Sequence, residues 1–299
     1  MKKLYNTIVI IIMIIILGII LYTYKNSIKN LLFKNYEINN KQKQNNDDKD
    51  DKYKEYKNTT NFKLENLDRY LAYKEKNPNL SYEDVVTYVN IGLDYNFYEY
   101  ITNTDTSLGN LLLVNKYLKL DKDYIPKDLE EISDECFINA NLYVREMTKE
   151  AKEAFEKLCK ASIENKTPVY GQSAYRSYEA QEKLYNNAVK TGGKEYADSD
   201  TARPGQSEHQ TGLTIDVSST KSGNMLTFEK TSSYTWMLNN AHKYGFILRY
   251  PKGKENIYGY VNEPWHYRYV GTTVATDMHD NYPDLTYEEY YYKYIDKRR

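Results

Sequence analysis

Cysteine is nearly absent: Cys136 and Cys159 are the two in 299 residues, too few for the disulfide framework of a small secreted scaffold. Cys159 shares the apolar side of a predicted helix with Phe155 and Leu158, the position of an ordinary buried thiol. A single bridge between the two stays open at this stage. Charge of either sign is not in excess, since 41 basic and 42 acidic residues leave a net charge of −1. Neither a basic stripe nor an aromatic RNA-binding motif is present, which excludes nucleic acid as the expected partner. Glycine, proline and alanine are scarce beside tyrosine, asparagine, lysine and isoleucine. That bias fits AT-rich coding and carries no functional signal.

Long apolar runs are also missing, with one exception. Residues 8–21 are unbroken apolar sequence, preceded by Lys2 and Lys3 and flanked by Tyr5, Tyr22 and Tyr24. Residues 4–24 suffice for a helix to cross a bilayer, and tyrosines suit its two interfaces. The small residues of a signal-peptidase site are lacking, and no cysteine follows for lipid attachment. The expectation is an uncleaved single-pass anchor over 1–25, with the bulk of the chain outside the cell membrane. A buried cytosolic helix is the alternative, but the isoleucine run has no polar face. Residues 26–61 are then a flexible polar linker, because a segment this poor in large aliphatics cannot offset the entropy of ordering.

Ordered sequence begins near Phe62, and 62–107 form an N-terminal extension. Ser81 and Asp84 offer a variant capping box at a helix start. Residues 111–114 suit a short buried strand, and 148–164 have helical spacing at Ala151, Phe155, Leu158, Cys159 and Ser162. An extended stretch at 169–175 meets a helix capped by Ser177, with Leu184, Tyr185, Ala188 and Val189 on one side. Leu213, Ile215 and Val217 alternate with polar residues as a strand, so Asp216 faces away from the apolar side. Ser232 or Ser233 caps a helix stopped by Gly245, and strands follow at 246–250 and 267–270. Late hairpin-like spacing predicts an α+β fold, a mostly antiparallel sheet flanked by helices.

Two stretches carry chemistry. His209 lies in a loop entering one strand, Asp216 on that strand, and His266 at the start of another. Two imidazoles and a carboxylate with one position left over suit a single catalytic Zn2+. Glu263, three residues before His266, is positioned as the general base. Glu208, beside His209, reads as solvated or as a support for a ligand. Arg176 suits a terminal carboxylate or an oxyanion, with Gln181 and Ser207 as further substrate contacts, although a structural ion pair is the plainer role for such an arginine. His242 and His279 read as ordinary core or surface residues.

These motifs, Tyr175-Arg176-Ser177 with Gln181, Ser207-x-His209-x6-Asp216, and Glu263-Pro264-Trp265-His266-Tyr267-Arg268-Tyr269, resemble the VanY-type D-alanyl-D-alanine carboxypeptidases. Thr214 departs mildly, standing where alanine is common. The resemblance covers 108–271 and implies the fold of zinc D,D-peptidases (Hedgehog/D,D-peptidase-like). It implies zinc on His209, Asp216 and His266, catalysis by Glu263 with Arg176, and substrate held by Arg176, Gln181 and Ser207. It further implies peptidoglycan stem peptides as the partner, and a monomer is expected. The competing expectations are an L,D-carboxypeptidase acting on tetrapeptide stems and a non-catalytic zinc-stabilised wall-binding module. Residues 272–299 form a tyrosine-rich tail, suited either to stacking on glycan or to covering the core.

Overall fold

In the computed structural model, the segments with apolar patterning become two cores, and the chemistry-bearing motifs fall on central strands and on the turns, loops and helix start beside them. The structure describes residues 53–138 and 145–296, together with Thr23, Lys25, Ser27, Leu31 and Lys34. Apart from Thr23, the expected anchor over 4–24 lies outside the described residues, as does most of the linker. Among the described residues, no helix is long and apolar enough to cross a membrane. The chain divides into Met1–Thr59 and Thr60–Arg299. In the first unit, a helical turn over residues 53–56 closes with Thr59 N–H donating to Tyr56 O at 2.9 Å. The second unit holds the sheet, the helices around it and every motif with chemistry.

Its central sheet has four strands, β1 (Tyr170–Ser173), β2 (Thr214–Ser218), β3 (Phe246–Leu248) and β4 (His266–Tyr269), in the order β1-β2-β4-β3. All three pairings are antiparallel, as expected from the sequence. Two small strand pairs stand apart. Thr102–Asn103 runs parallel to Leu118–Lys119, and Leu129–Glu131 runs antiparallel to Glu146–Thr148. The predicted strand at 111–114 is irregular chain after a 3-10 turn, Thr106–Leu111, although Leu112, Leu113 and Val114 are buried as expected. A short apolar run fixes burial, not conformation.

Among the described residues, six main helices surround the sheet: α1 (Leu67–Lys76), α2 (Tyr82–Ile91), α3 (Lys149–Glu164), α4 (Tyr178–Asp200), α5 (Ser232–Asn240) and α6 (Thr272–Asn281). In α3 the predicted face is the buried one, with Ala151, Phe155, Leu158, Cys159 and Ser162 turned inward. Phe155 and Leu158 join Ile215, Val217 and Phe246 in the first core, each fully buried side chain worth about 1.5–3 kcal/mol. Cys159 is buried but is not a thiol; it is bridged to Cys136, 23 residues away, with Cα atoms 5.8 Å apart. Ser81 Oγ caps α2 by accepting from Asp84 N–H, while the Asp84 carboxylate accepts from the Ser81 hydroxyl. The cap of α5 is Thr231, one residue before the predicted serines, its Oγ1 accepting from Tyr234 N–H. Gly245 ends the following turn at φ 84°, where a Cβ would stand 2.6 Å from Tyr269 Cε2.

The second core joins parts of the chain that are distant in sequence. Ile91 of α2, Ile247 of β3, Val270 and the tail residues Tyr287, Tyr290, Tyr291 and Tyr292 are buried together. The tail therefore covers a core, with a capping box at its last turn between Thr286 and Glu289.

Candidate metal and catalytic site

Antiparallel pairing brings the ligands together. Asp216 on β2 and His266 on β4 are direct cross-strand partners, so their side chains leave the same face of the sheet at close range. Asp216 does face away from the apolar side, as expected, but that face is buried too, because the site is built on it. His209 arrives from the 3-10 turn Glu208–Thr211, which leads directly into β2. Gly212 ends this turn at φ 67°, and its position leaves no room for a side chain, since a Cβ would lie 2.9 Å from Leu129 Cδ2.

The orientation of both imidazoles follows from what their far nitrogens face. His209 Nδ1 donates to Ala174 O at 2.6 Å, which leaves the Nε2 lone pair 3.3 Å from Asp216 Oδ2. His266 Nε2 faces Glu208 Oε2 at 3.8 Å, while Nδ1 stands 3.1 Å from Asp216 Oδ1 and 3.2 Å from Glu263 Oε2. A ligand atom from each of His209, Asp216 and His266 lies within 4.8 Å of the others, and all three residues are buried. Asp216 Oδ1 is buried without a hydrogen-bond partner among the described residues. Lone pairs crowding one point, with a carboxylate oxygen otherwise orphaned, are what a cation relieves. The donor set of two nitrogens and one oxygen fits zinc.

Burial and neighbouring charge pull these groups in different directions. Burial works against charge on His209, helped by the nearby Arg176, and its pKa is lowered. Burial alone would raise Asp216, but the two imidazoles outweigh it and hold the carboxyl well below its usual range. At His266 burial is outweighed by Asp216, Glu208 and Glu263, which raise the imidazole well above its ordinary value. Burial pushes Glu263 up, the direction expected of a working base.

These residues floor a cleft of about 390 Å³ that also takes in Arg176, Gln181 and Ser207. The cleft thus gathers every site residue expected from the sequence. Arg176 donates to Gln181 Oε1 at 2.9 Å and to Ser173 Oγ at 3.0 Å, and Gln181 in turn donates to Ala202 O at 2.7 Å. The guanidinium is thereby fixed within the wall. Leu184 lines the cleft and is 43% exposed, with Leu226 and Tyr196 on the same lining. Among the residues of α4, only Gln181 and Ala197 are buried, and the helix is broken at Gly193.

Of the two roles the sequence left open for Glu208, the structure has the support for a ligand, and the arginines behind it were missed. Glu208 is not solvated. Its side chain is fully buried, with Oε1 accepting from Arg249 Nε at 2.9 Å and from Arg268 at 2.8 Å. Arg249 also makes a two-pronged pair with Glu288 of the tail, at 2.8 and 2.6 Å. Arg268 donates to the carbonyls of Asn110 and Leu112 as well. Burial would raise the Glu208 pKa, but the two guanidinium groups overcome it and hold the carboxyl far below its usual range. The two cations and two anions balance, and the outer oxygen of Glu208 is left facing His266. Arginines within β4 and just after β3, strands otherwise apolar, were the available signal.

A buried set of two imidazoles and an aspartate, with a glutamate beside it and an arginine on the cleft wall, is a candidate metallohydrolase centre. The comparisons with known proteins agree. A family model described as VanY, D-alanyl-D-alanine carboxypeptidase, matches residues 144–272. A D-alanyl-D-alanine carboxypeptidase of Enterococcus faecium is 31% identical over 243 residues, 74% of this chain and 74% of the relative. The solved LdcB LD-carboxypeptidase, reported with the basis of its peptidoglycan recognition, is 38% identical with a TM-score of 0.60, over 65% of this chain and 91% of LdcB. A vancomycin-resistance D,D-pentapeptidase, VanY from a VanB-type cassette, was solved as a point mutant with Zn(II). It is 30% identical with a TM-score of 0.51, over 60% of this chain and 98% of that one. The chain belongs to the VanY family of D-alanyl-D-alanine carboxypeptidases, metallopeptidases of peptidoglycan.

Proposed function

We propose that the chain is a zinc-dependent carboxypeptidase that removes the terminal D-alanine from peptidoglycan stem peptides ending in D-alanyl-D-alanine. The observation that carries this reading is the joint placement of His209, Asp216, His266 and Glu263 on the floor of a cleft walled by Arg176. Zinc fits the donor set and is the ion found with the related VanY. When bound, it supplies Lewis-acid polarisation and brings the pKa of water down to about 7.

The remaining steps belong to side chains. Glu263, raised by burial and 3.2 Å from a ligand nitrogen, accepts the proton of the attacking water. It then returns that proton to the amine of the departing D-alanine, so acid and base work fall to one group. Arg176, braced by Gln181 and Ser173, pairs with the carboxylate at the peptide's end, and Ser207 adds a hydroxyl on the same wall. Fixing that terminus sets the scissile bond over the metal ligands and selects exo-cleavage.

A second reading is L,D-carboxypeptidase activity on tetrapeptide stems. The higher identity and TM-score of LdcB favour it, and so does Asp200 on the cleft lining, an anion suited to the side-chain amine of a diamino acid. Purified protein incubated with pentapeptide and tetrapeptide stems separates the readings by mass spectrometry of the products. Loss of one D-alanine from the pentapeptide supports D,D-activity, and cleavage of the tetrapeptide alone overturns it in favour of the second reading. We also propose that the catalytic unit works outside the cell membrane on an anchor at 4–24. The apolar run and the Cys136–Cys159 bridge support that placement, disulfides persisting mainly in oxidising compartments.

A further inference from the structure

On the 3-10 turn Ala241–Tyr244 and on α6, two histidines with no part in the site above lie against each other. The rings of His242 and His279 stack with centroids 3.6 Å apart and planes 17° from parallel. Asp280 follows directly, its Oδ1 2.7 Å from His279 Nδ1. One ligand atom from each of the three residues lies within 4.8 Å of the others. His242 is 8% exposed, and its Nδ1 is buried without a hydrogen-bond partner among the described residues. An orphaned imidazole nitrogen beside a second imidazole and a carboxylate is an unmet demand for a proton donor or a cation. Water alone serves an exposed histidine well, but His242 is not exposed.

We propose that His242, His279 and Asp280 form a second metal site, separate from the catalytic one, for a borderline divalent transition ion such as Zn2+, Ni2+ or Cu2+. Imidazole nitrogen with a carboxylate selects this class over Mg2+ and Ca2+, which require mostly oxygen. Zinc–nitrogen bonds of about 2.0–2.1 Å place tetrahedral ligands roughly 3.3 Å apart. His242 is held by its surroundings, and stacked rings aim their in-plane lone pairs past each other, so the exposed His279 turns out of the stack and Asp280 swings with it to meet the ion. The fourth position is open to solvent. A bound ion clips the last turn of α6 to the turn before β3 and thereby fastens the start of the tyrosine-rich tail.

The test begins from full-length protein carrying one equivalent of Zn2+. Isothermal titration with further Zn2+, and separately with Ni2+, reads the second event, and thermal melts read its effect on the fold. The expected result is one additional equivalent and a rise in Tm. Both are lost in His279→Ala, while carboxypeptidase activity of the zinc-loaded protein is unchanged. Asp280→Asn, which replaces a carboxylate ligand with a neutral amide, weakens the event without touching either imidazole. His279 is exposed, so its variant folds. A second equivalent that survives His279→Ala, or no second equivalent in the wild type, overturns the proposal.

Discussion

Removing the Glu288 carboxylate probes the buried charge network most directly. Glu288→Ala takes away two charge-assisted bonds to Arg249 and leaves that guanidinium with only Glu208 Oε1, which Arg268 already shares. A neutral set of two cations and two anions becomes a buried excess of one positive charge. Breaking one side of a buried pair costs about 3–5 kcal/mol. For a domain of this size each kcal/mol moves Tm by about 2–4 °C, so the variant melts roughly 6–20 °C below wild type. Arg249→Met combined with Glu288→Met removes one charge of each sign and leaves the neutral Glu208–Arg268 pair. That double variant returns to within about 1–2 kcal/mol of wild type, because paired replacement by apolar groups is close to neutral. Circular-dichroism melts of wild type, Glu288→Met, Arg249→Met and the double variant complete the cycle. A Glu288→Ala loss under about 1 kcal/mol, or a double variant as unstable as the sum of its singles, refutes the reasoning. The pH dependence carries a sign as well. Burial opposes the charge on Glu208, yet Arg249 and Arg268 depress its pKa in the folded state. Its contribution is therefore fully present above the unfolded value of about 4.3 and is lost as pH falls below it.

Glu263→Gln retains one equivalent of zinc by metal analysis and loses carboxypeptidase turnover by about two to four orders of magnitude; near-normal turnover removes Glu263 from the base role. Arg176→Ala lowers kcat/KM about ten- to a hundredfold for peptides with a free C-terminus, the worth of a charge-assisted pair. Amidated peptides are affected far less, and equal losses on both reassign the guanidinium to the oxyanion.

The metal and catalytic residues are legible in the sequence because the chemistry restricts both residue type and neighbourhood. His209, Asp216, Glu263 and His266 stand within short motifs, and the strands carrying Asp216 and His266 announce themselves by alternation. The network behind them is not legible. Arg249 and Glu288 meet across 39 residues of chain, and no periodic pattern reports a contact between a strand end and a tail. The Cys136–Cys159 bridge escapes for a similar reason, since spacing in sequence does not give distance in space. Residues 111–114 mislead because a short apolar run carries burial without conformation. The place of Leu184 on the cleft was not legible, because an apolar stripe on a helix does not say whether it faces a core or a substrate. The shift of the α5 cap from the serines to Thr231 is a one-residue error of the usual kind, neighbouring hydroxyls being equivalent in sequence.

The direct pairing of Asp216 with His266 ties ion binding to strand alignment. Side chains alternate across a sheet, so sliding β4 by one residue against β2 would send the imidazole through to the opposite surface. Only the correctly aligned ladder then offers the full ligand set. An ion that binds this alignment alone lowers its free energy by mass action, and every misaligned competitor goes without that gain. An ion held there would thus favour the aligned sheet over its slipped alternatives at equilibrium.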